Sequence, residues 1–171
     1  MISLIVATDL NGVIAKNGKI PWHSSSEFKH FREKTVSKPI IMGKVTYDTI
    51  GMPLPDRHVI VIDQDFDSKH NSFLQGITPF WTYNNIDDAL ECAKNLNSDE
   101  VMICGGLSIY KYFLENGLID KMYISKMKMT VEIEEGDEVL SFPEYSDFGP
   151  WNVVSSVDHD EFMVLELEKV K

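Results

Sequence analysis

The sequence predicts an α/β fold: a single domain over residues 1–171, with a mainly parallel central sheet, flanking helices and a C-terminal antiparallel hairpin. Three observations carry this. Short, nearly continuous apolar runs recur at 2–8, 39–42, 58–62 and 101–104, as strands buried on both faces require. Segments with helical spacing lie between them. The last two runs, 151–157 and 162–170, follow each other with no helix between, which suits a closing hairpin.

Taken in order, residues 2–8 (ISLIVAT) form the first strand. Residues 24–35 form a helix with Phe28, Phe31 and Thr35 on one face. Residues 39–42 are an apolar strand ending at Gly43, and 45–50 a short helix broken by Gly51-Met52-Pro53-Leu54-Pro55. The β-branched run 58–62 is a strand, and 80–83 is a further one. Residues 86–96 place Ile86, Leu90, Ala93 and Leu96 at helical spacing, with Asn85 as N-cap. Residues 101–104 read as a buried strand ending at Gly105-Gly106, and 108–115 as a helix stopped by Asn116-Gly117. Residues 122–128 alternate as a strand. The acidic stretch 132–138 reads as a solvated loop.

Composition bounds the function. At 43% hydrophobic and 25% charged residues, the chain can bury a full core, hiding roughly 70% of its unfolded surface at this size. A net charge of −11 disfavours nucleic acid or an anionic membrane as partner, because both need basic patches. It leaves room for a small anionic ligand held by a few local cations. No apolar run approaches the ~18 residues of a membrane span. The opening MISLIVATDLNG lacks the basic lead and small-residue cleavage site of a signal peptide. Cys92 and Cys104 are the only cysteines, so reduced thiols in the cytoplasm are expected and a disulfide framework is not. The five histidines (His23, His30, His58, His70, His159) show no metal-binding spacing, and no metal is expected.

In such a sheet, ligands bind beyond the carboxyl ends of the strands. Two junctions there share a shape: Ile40-Ile41-Met42-Gly43-Lys44 and Met102-Ile103-Cys104-Gly105-Gly106-Leu107-Ser108 both lead from strand to helix through glycine. Glycine lets backbone N–H groups approach an anion, and a helix start leaves N–H donors free. Each glycine could equally serve only to turn the chain. Together they suggest a ligand with several phosphates, such as a dinucleotide. In Pro21–Phe28, Ser24 and Glu27 fit a capping box, with Glu27 bonding back to the helix start. The functional alternative sets Glu27 among Trp22, Phe28 and Phe31, where desolvation raises its pKa. Such a carboxyl can pair with an amidine-like heterocycle or assist a protonation. Arg57, after a rigid Pro-rich loop, can clamp a carboxylate bidentately, or can simply be a solvated surface arginine.

In order and spacing, these pieces resemble the dihydrofolate reductase family over the whole chain. The matching residues are MISLIVA, Asn11-Gly12-Val13-Ile14-Ala15, Ile20-Pro21-Trp22, Glu27, Lys38 to Tyr47, Gly51-x-Pro-Leu-Pro-x-Arg57, Cys104-Gly105-Gly106 with Tyr110, Glu135-Gly136-Asp137 and Phe142-Pro143. The resemblance implies reduction of dihydrofolate to tetrahydrofolate by hydride from NADPH, with protonation at N5. Glu27 then resembles the acid of the pterin pocket, oriented with Trp22 and Ser125 through an ordered water. Ile5, Val6, Phe28, Phe31, Ile50 and Leu54 resemble the substrate walls, and Arg57 the clamp on the glutamate carboxylate. Ala7, Ile14 and Ile20 match the nicotinamide site. Gly43, Val45, Thr46, Cys104, Gly105, Gly106, Leu107, Ser108, Ile109 and Tyr110 match the diphosphate side, where the family often has an unusual Gly–Gly peptide. Lys44, Ile62, Asp63 and Gln64 match the adenosine end. Residues 9–24 correspond to a loop closing over the nicotinamide, and Asp137 to its latch. A monomer is implied, with antifolate inhibitors as further ligands.

The sequence departs from the family in places. The acid is Glu rather than the Asp usual in bacterial members. Ser25 replaces a frequent proline and Ser125 a usual threonine. Asp63-Gln64 stands where Ser or Thr often meets the 2′-phosphate. Asp63 would repel that phosphate and Lys44 attract it, so NADPH is expected with a reduced preference over NADH. Competing readings are a same-fold reductase of a riboflavin-precursor pyrimidine, a silent nucleotide-binding relative, and a generic phosphate-binding module. The first is not expected to combine Pro21-Trp22, Glu27 and Arg57, the second would be favoured by loss of the acid or of Gly105-Gly106, which are both intact, and the third explains the glycine junctions but not Glu27 with Arg57.

Overall fold

A computed structural model describes residues 1–51, 54–67, 80–96 and 99–171. Met52 and Pro53 of the Gly51–Pro55 breaker, and His70, lie outside the described residues.

The elements run β1 (Ile2–Thr8), β2 (Val13–Lys16), α1 (Ser25–Thr35), β3 (Pro39–Gly43), α2 (Lys44–Ile50), β4 (His58–Ile62) and β5 (Phe80–Tyr83). They continue with α3 (Ile86–Asn95), β6 (Val101–Ile103), α4 (Leu107–Glu115), β7 (Lys121–Met127) and β8 (Val139–Ser141). A 3-10 turn (Tyr145–Phe148), β9 (Trp151–Asp158) and β10 (Phe162–Lys169) close the chain. Among the described residues, eight strands form one sheet in the order β5-β4-β3-β6-β1-β7-β10-β9. From β5 to β7 the pairing is parallel, whereas β7, β10 and β9 pair antiparallel, giving the expected hairpin edge. The fold is thus a mixed α/β sheet of the predicted class.

Alternation of side chains across the strands creates two cores. Leu4, Val6, Ile41, Ile60, Ile62 and Ile103 face α3 and α4, where Ala89, Ala93, Ile109 and Phe113 meet them. Ile5, Ile40, Met42, Val61 and Cys104 face the other way, with Leu54, Phe31, Tyr47 and Ile50 packed over them. Helix α1 therefore covers one face, and α3 and α4 the other. The local signals hold at the helix starts: Ser24 Oγ accepts from the Glu27 N–H and Asn85 Oδ1 from the Asp88 N–H. Phe113, fully buried, anchors α4 to the sheet. Phe113→Ala is expected to destabilise the fold by ~3–5 kcal/mol, read as a shift in the urea midpoint. An unshifted midpoint would show that the site collapses around the void.

Two strands were not expected from sequence. β2 and β8 pair antiparallel as a separate ribbon, Lys16 opposite Val139 and Val13 opposite Ser141. Each is too short to show a period. Buried Asp9 ties the start of β2 to the segment that precedes β8: its Oδ1 accepts from the Asn11 and Val13 N–H groups and its Oδ2 from the Val131 N–H, all at 2.8 Å.

Candidate active site

The first half of the site hangs on the carboxyl ends of β1 and β7. Ala7 on β1 is in register with Ser125 on β7, so Ser125 sits beside the point where the chain leaves β1. Helix α1 begins above this edge, and its first turn carries Glu27. The reciprocal half of the capping box does not form. Ser24 accepts from the Glu27 N–H at 3.2 Å, but the Glu27 carboxyl turns to Ser125 instead of back to the helix start. Burial raises the pKa of Glu27, and the Ser125 hydroxyl draws it part of the way back. That hydroxyl is fully buried and, among the described residues, meets the geometry of a full hydrogen bond with no group, so its hold on the acid is loose.

Aromatic and aliphatic side chains lie on the elements that carry and adjoin this acid. Phe28 and Phe31 lie on the same helix, their rings 6.1 Å apart. Phe31 joins Ile5, Leu54 and Ile50 in the core on the α1 side. Trp22 is anchored on Met127, Phe162 and Val164 of the antiparallel edge. Val6 points to the opposite face, into the core under α3 and α4, so only its backbone borders this side of β1.

Arg57 is 3% exposed at the start of β4. Its Nε donates to the Pro55 carbonyl at 3.0 Å and one terminal nitrogen to Thr35 Oγ1 at 3.3 Å. Among the described residues no carboxylate pairs with it, since Asp56 bonds Arg32 instead. Burial lowers its pKa, with help from Arg32, but an arginine stays cationic. A buried cation held only by neutral oxygens is ready to take an anion.

The two glycine junctions form the second half. Because β3 and β6 are neighbours, Gly43 and Gly105 come together, the Gly43 N–H donating to the Gly105 carbonyl at 2.8 Å. The Gly105–Gly106 peptide bond is cis, and Gly105 has φ +111°. A Cβ on Gly106 would stand 3.0 Å from Thr46 Oγ1, and one on Gly105 3.1 Å from the Tyr110 hydroxyl. Gly106 caps α4 without any side-chain bond, leaving first-turn N–H groups free. Tyr110 is tied down by its hydroxyl, which donates to the Ile5 carbonyl at 2.7 Å. This cradle can hold a diphosphate against backbone. Around it, Ile62, Cys104 and Ile109 are buried, Leu107 and Ile14 half-buried, and Val45, Gln64 and Ser108 exposed. Lys44 and Asp63 leave the ends of β3 and β4.

Residues 9–24 span the front of the cleft. Ile20, 47% exposed, stands between two open clefts, one of about 660 Å³ lined by Lys16, Pro21 and Trp22, the other of about 560 Å³ against Val45, Asp48 and Thr49. Asn17 donates to Asp137 Oδ1 at 2.8 Å and accepts from the Glu138 N–H, while Lys16 Nζ lies 3.0 Å from Asp137 Oδ2. The Glu134 N–H, then Asn17 and Lys16, draw the Asp137 carboxyl down to about 2. Sequence reading missed Asp9, Lys16, Asn17 and Thr35 as shapers of the site. For Asp9 a signal existed: an Asx turn before Leu10-Asn11-Gly12. Lys16 and Asn17 meet Asp137 and Thr35 meets Arg57 across long stretches of chain, so no local signature marks them for the site.

Comparison with known proteins agrees with this geometry. The family model described as dihydrofolate reductase matches residues 1–167. The dihydrofolate reductase of Haemophilus influenzae is 36% identical over 132 residues, covering 76% of this chain and 74% of that protein. That of Bacillus subtilis is 33% identical over 156 residues, covering 91% and 83%. The type 3 dihydrofolate reductase of Salmonella typhimurium is 31% identical over 163 residues, covering 93% and 88%. With its acid and its paired glycines meeting at the carboxyl ends of a mostly parallel sheet, and with a match over nearly its whole length, the chain belongs to the dihydrofolate reductase family.

Proposed function

We propose that this chain, acting as one domain over residues 1–171, reduces 7,8-dihydrofolate to 5,6,7,8-tetrahydrofolate with NADPH as coenzyme and Glu27 as its acid. Reduction of dihydrofolate, an oxidoreductase reaction, follows from the family. The choice of coenzyme and the residue roles are our reading. The observation that carries it is the desolvated Glu27 carboxyl beside Ser125 of β7, in a sheet whose strands β3 and β6 end in a glycine cradle with room for a diphosphate.

The glycine cradle would hold NADPH, whose chemistry when bound is to give up a hydride, taken up here at pterin C6. The matching proton goes to N5, so the C=N bond gains two hydrogens and nothing leaves. Glu27 pairs with the amino-pyrimidine edge through two hydrogen bonds, fixing the ring, and promotes protonation at N5. Trp22 and Ser125 orient this acid. Ile5, Phe28, Phe31, Ile50 and Leu54 wall the pterin and benzoyl rings and exclude water. Arg57, which pairs with no carboxylate among the described residues, takes the glutamate carboxylate. Gly43, Thr46, Gly105 and Gly106 would meet the diphosphate, and Ala7, Ile14 and Ile20 would border the nicotinamide, with the loop at 9–24, pinned through Asn17 to Asp137, closing the site.

Several features support the wider reading. Among the described residues no helix is long and apolar enough to cross a membrane, and Cys92 and Cys104 are free thiols, in keeping with a cytoplasmic enzyme. We read it as a monomer, with antifolates as competing ligands. The direct test follows loss of reduced-nicotinamide absorbance with dihydrofolate present. Oxidation that depends on dihydrofolate is expected. NADPH binding without such oxidation would overturn the reading.

A further inference from the structure

The place where β3 and β4 end lies one strand outward from the glycine cradle. Gly43 is in register with Ile62, so the next residues, Lys44 and Asp63, leave two adjacent parallel strands side by side. Lys44 Nζ is already engaged, at 2.5 Å from Asp48 Oδ2 one turn along α2. The Asp63 N–H donates to the Tyr83 carbonyl at 2.9 Å, and its Oδ1 accepts from the Asp65 N–H at 3.1 Å, so its carboxylate is held at the strand end. Asp65 and Asp67 continue the acidic turn. The Asp48 bond, and then the charge of Asp63, raise the pKa of Lys44 above that of an ordinary lysine, so both carboxylates act on this one ammonium.

We propose that Asp63 and Asp48 are specificity-determining residues at the adenosine-ribose end of the coenzyme site, weakening selection for a 2′-phosphate and letting NADH compete with NADPH. This rests on the coenzyme reading above. A 2′-phosphate carries close to two negative charges. To bind here it must draw Lys44 from Asp48 and sit beside Asp63. A free 2′-hydroxyl instead donates to a carboxylate, which is the role an aspartate at a strand end plays in NAD-binding dinucleotide sites, where an arginine serves NADP. Asp63 therefore acts on the two coenzymes with opposite sign, and Asp48, by holding Lys44, acts on the phosphate-bearing one alone.

The experiment measures dissociation constants of NADPH, NADH and adenosine 2′-monophosphate by tryptophan fluorescence quenching and calorimetry, without substrate. Asp63→Asn keeps an acceptor for the Asp65 N–H and removes the charge; Asp63→Ser shortens the side chain as well. In both variants the ratio Kd(NADH)/Kd(NADPH) is expected to rise about tenfold at low salt, and less at high salt as screening shortens the reach of the charge. Asp48→Ala is expected to tighten NADPH and adenosine 2′-monophosphate severalfold while leaving NADH unmoved. A ratio unchanged in all three variants, with NADPH still bound, overturns the proposal and leaves the coenzyme reading standing. Failure of the wild-type chain to bind either coenzyme overturns that reading, and this proposal with it.

Discussion

Glu27→Gln is expected to cut turnover at neutral pH by ~10²–10⁴-fold, the usual worth of a positioned proton donor. Glutamine keeps the size and one acceptor of the side chain but cannot supply or relay a proton. NADPH binding, made at the cradle and not at this acid, should change little. Steady-state rates and coenzyme titration together check this, and an unchanged turnover would remove Glu27 from the mechanism. The pH dependence has a definite sign. Desolvation raises the folded-state pKa of Glu27, so the protonated form survives to higher pH than in a free glutamate. Wild-type turnover should fall as pH rises through that raised pKa, while the variant stays low and flat. Stability follows the same proton. Between the unfolded and the folded pKa the native state holds a proton that the unfolded chain has lost. The stabilisation from that proton is complete below the unfolded pKa and is lost as pH rises through the folded one. The glutamine variant lacks this loss, so its stability relative to wild type should improve from acid to neutral pH in urea titrations. A constant difference across that range would mean that the acid is not desolvated.

Arg57→Ala should raise the KM for dihydrofolate while leaving kcat and NADPH binding nearly intact. Removing one partner of a desolvated charge pair costs roughly 2–5 kcal/mol, or about 30-fold to several thousand-fold in affinity. The large figure applies because Arg57 is almost wholly buried and no carboxylate pairs with it among the described residues. Arg57→Lys should recover only part of the loss, since an ammonium cannot make the planar two-bond contact. A pterin substrate without the glutamate tail supplies the internal control, because its KM should be the same in wild type and variant. Equal losses for both substrates would show that Arg57 supports the fold of the pocket and not the tail contact.

Much of this molecule is legible along the chain because its signals are local. The apolar runs at 2–8 and 58–62 became β1 and β4 with the predicted bounds, and Ser24 and Asn85 cap their helices as their side chains dictate. The capping box was half right: Ser24 makes its bond, but the Glu27 carboxyl goes to Ser125, almost a hundred residues away in sequence. No local rule could choose between the two, because the choice depends on the desolvated edge that β7 creates. The ribbon of β2 and β8 was illegible for the same reason, with four and three residues that show no period and a buried Asp9 that ties the start of β2 to Val131, far along the chain.

The amino-acid order by itself determined the sheet-and-helix class, the residue types able to do the chemistry and the family resemblance, because periodicity, capping and glycine junctions act within a few residues of one another. Tertiary structure alone decided which of those residues share a site. Parallel pairing of β3 with β6 set Gly43 against Gly105, packing of α1 across β7 placed Glu27 over Ser125, and the turn into β4 buried Arg57 beside Thr35. Each of these contacts depends on burial and on closing a long stretch of chain, and neither quantity exists until the whole sheet has assembled.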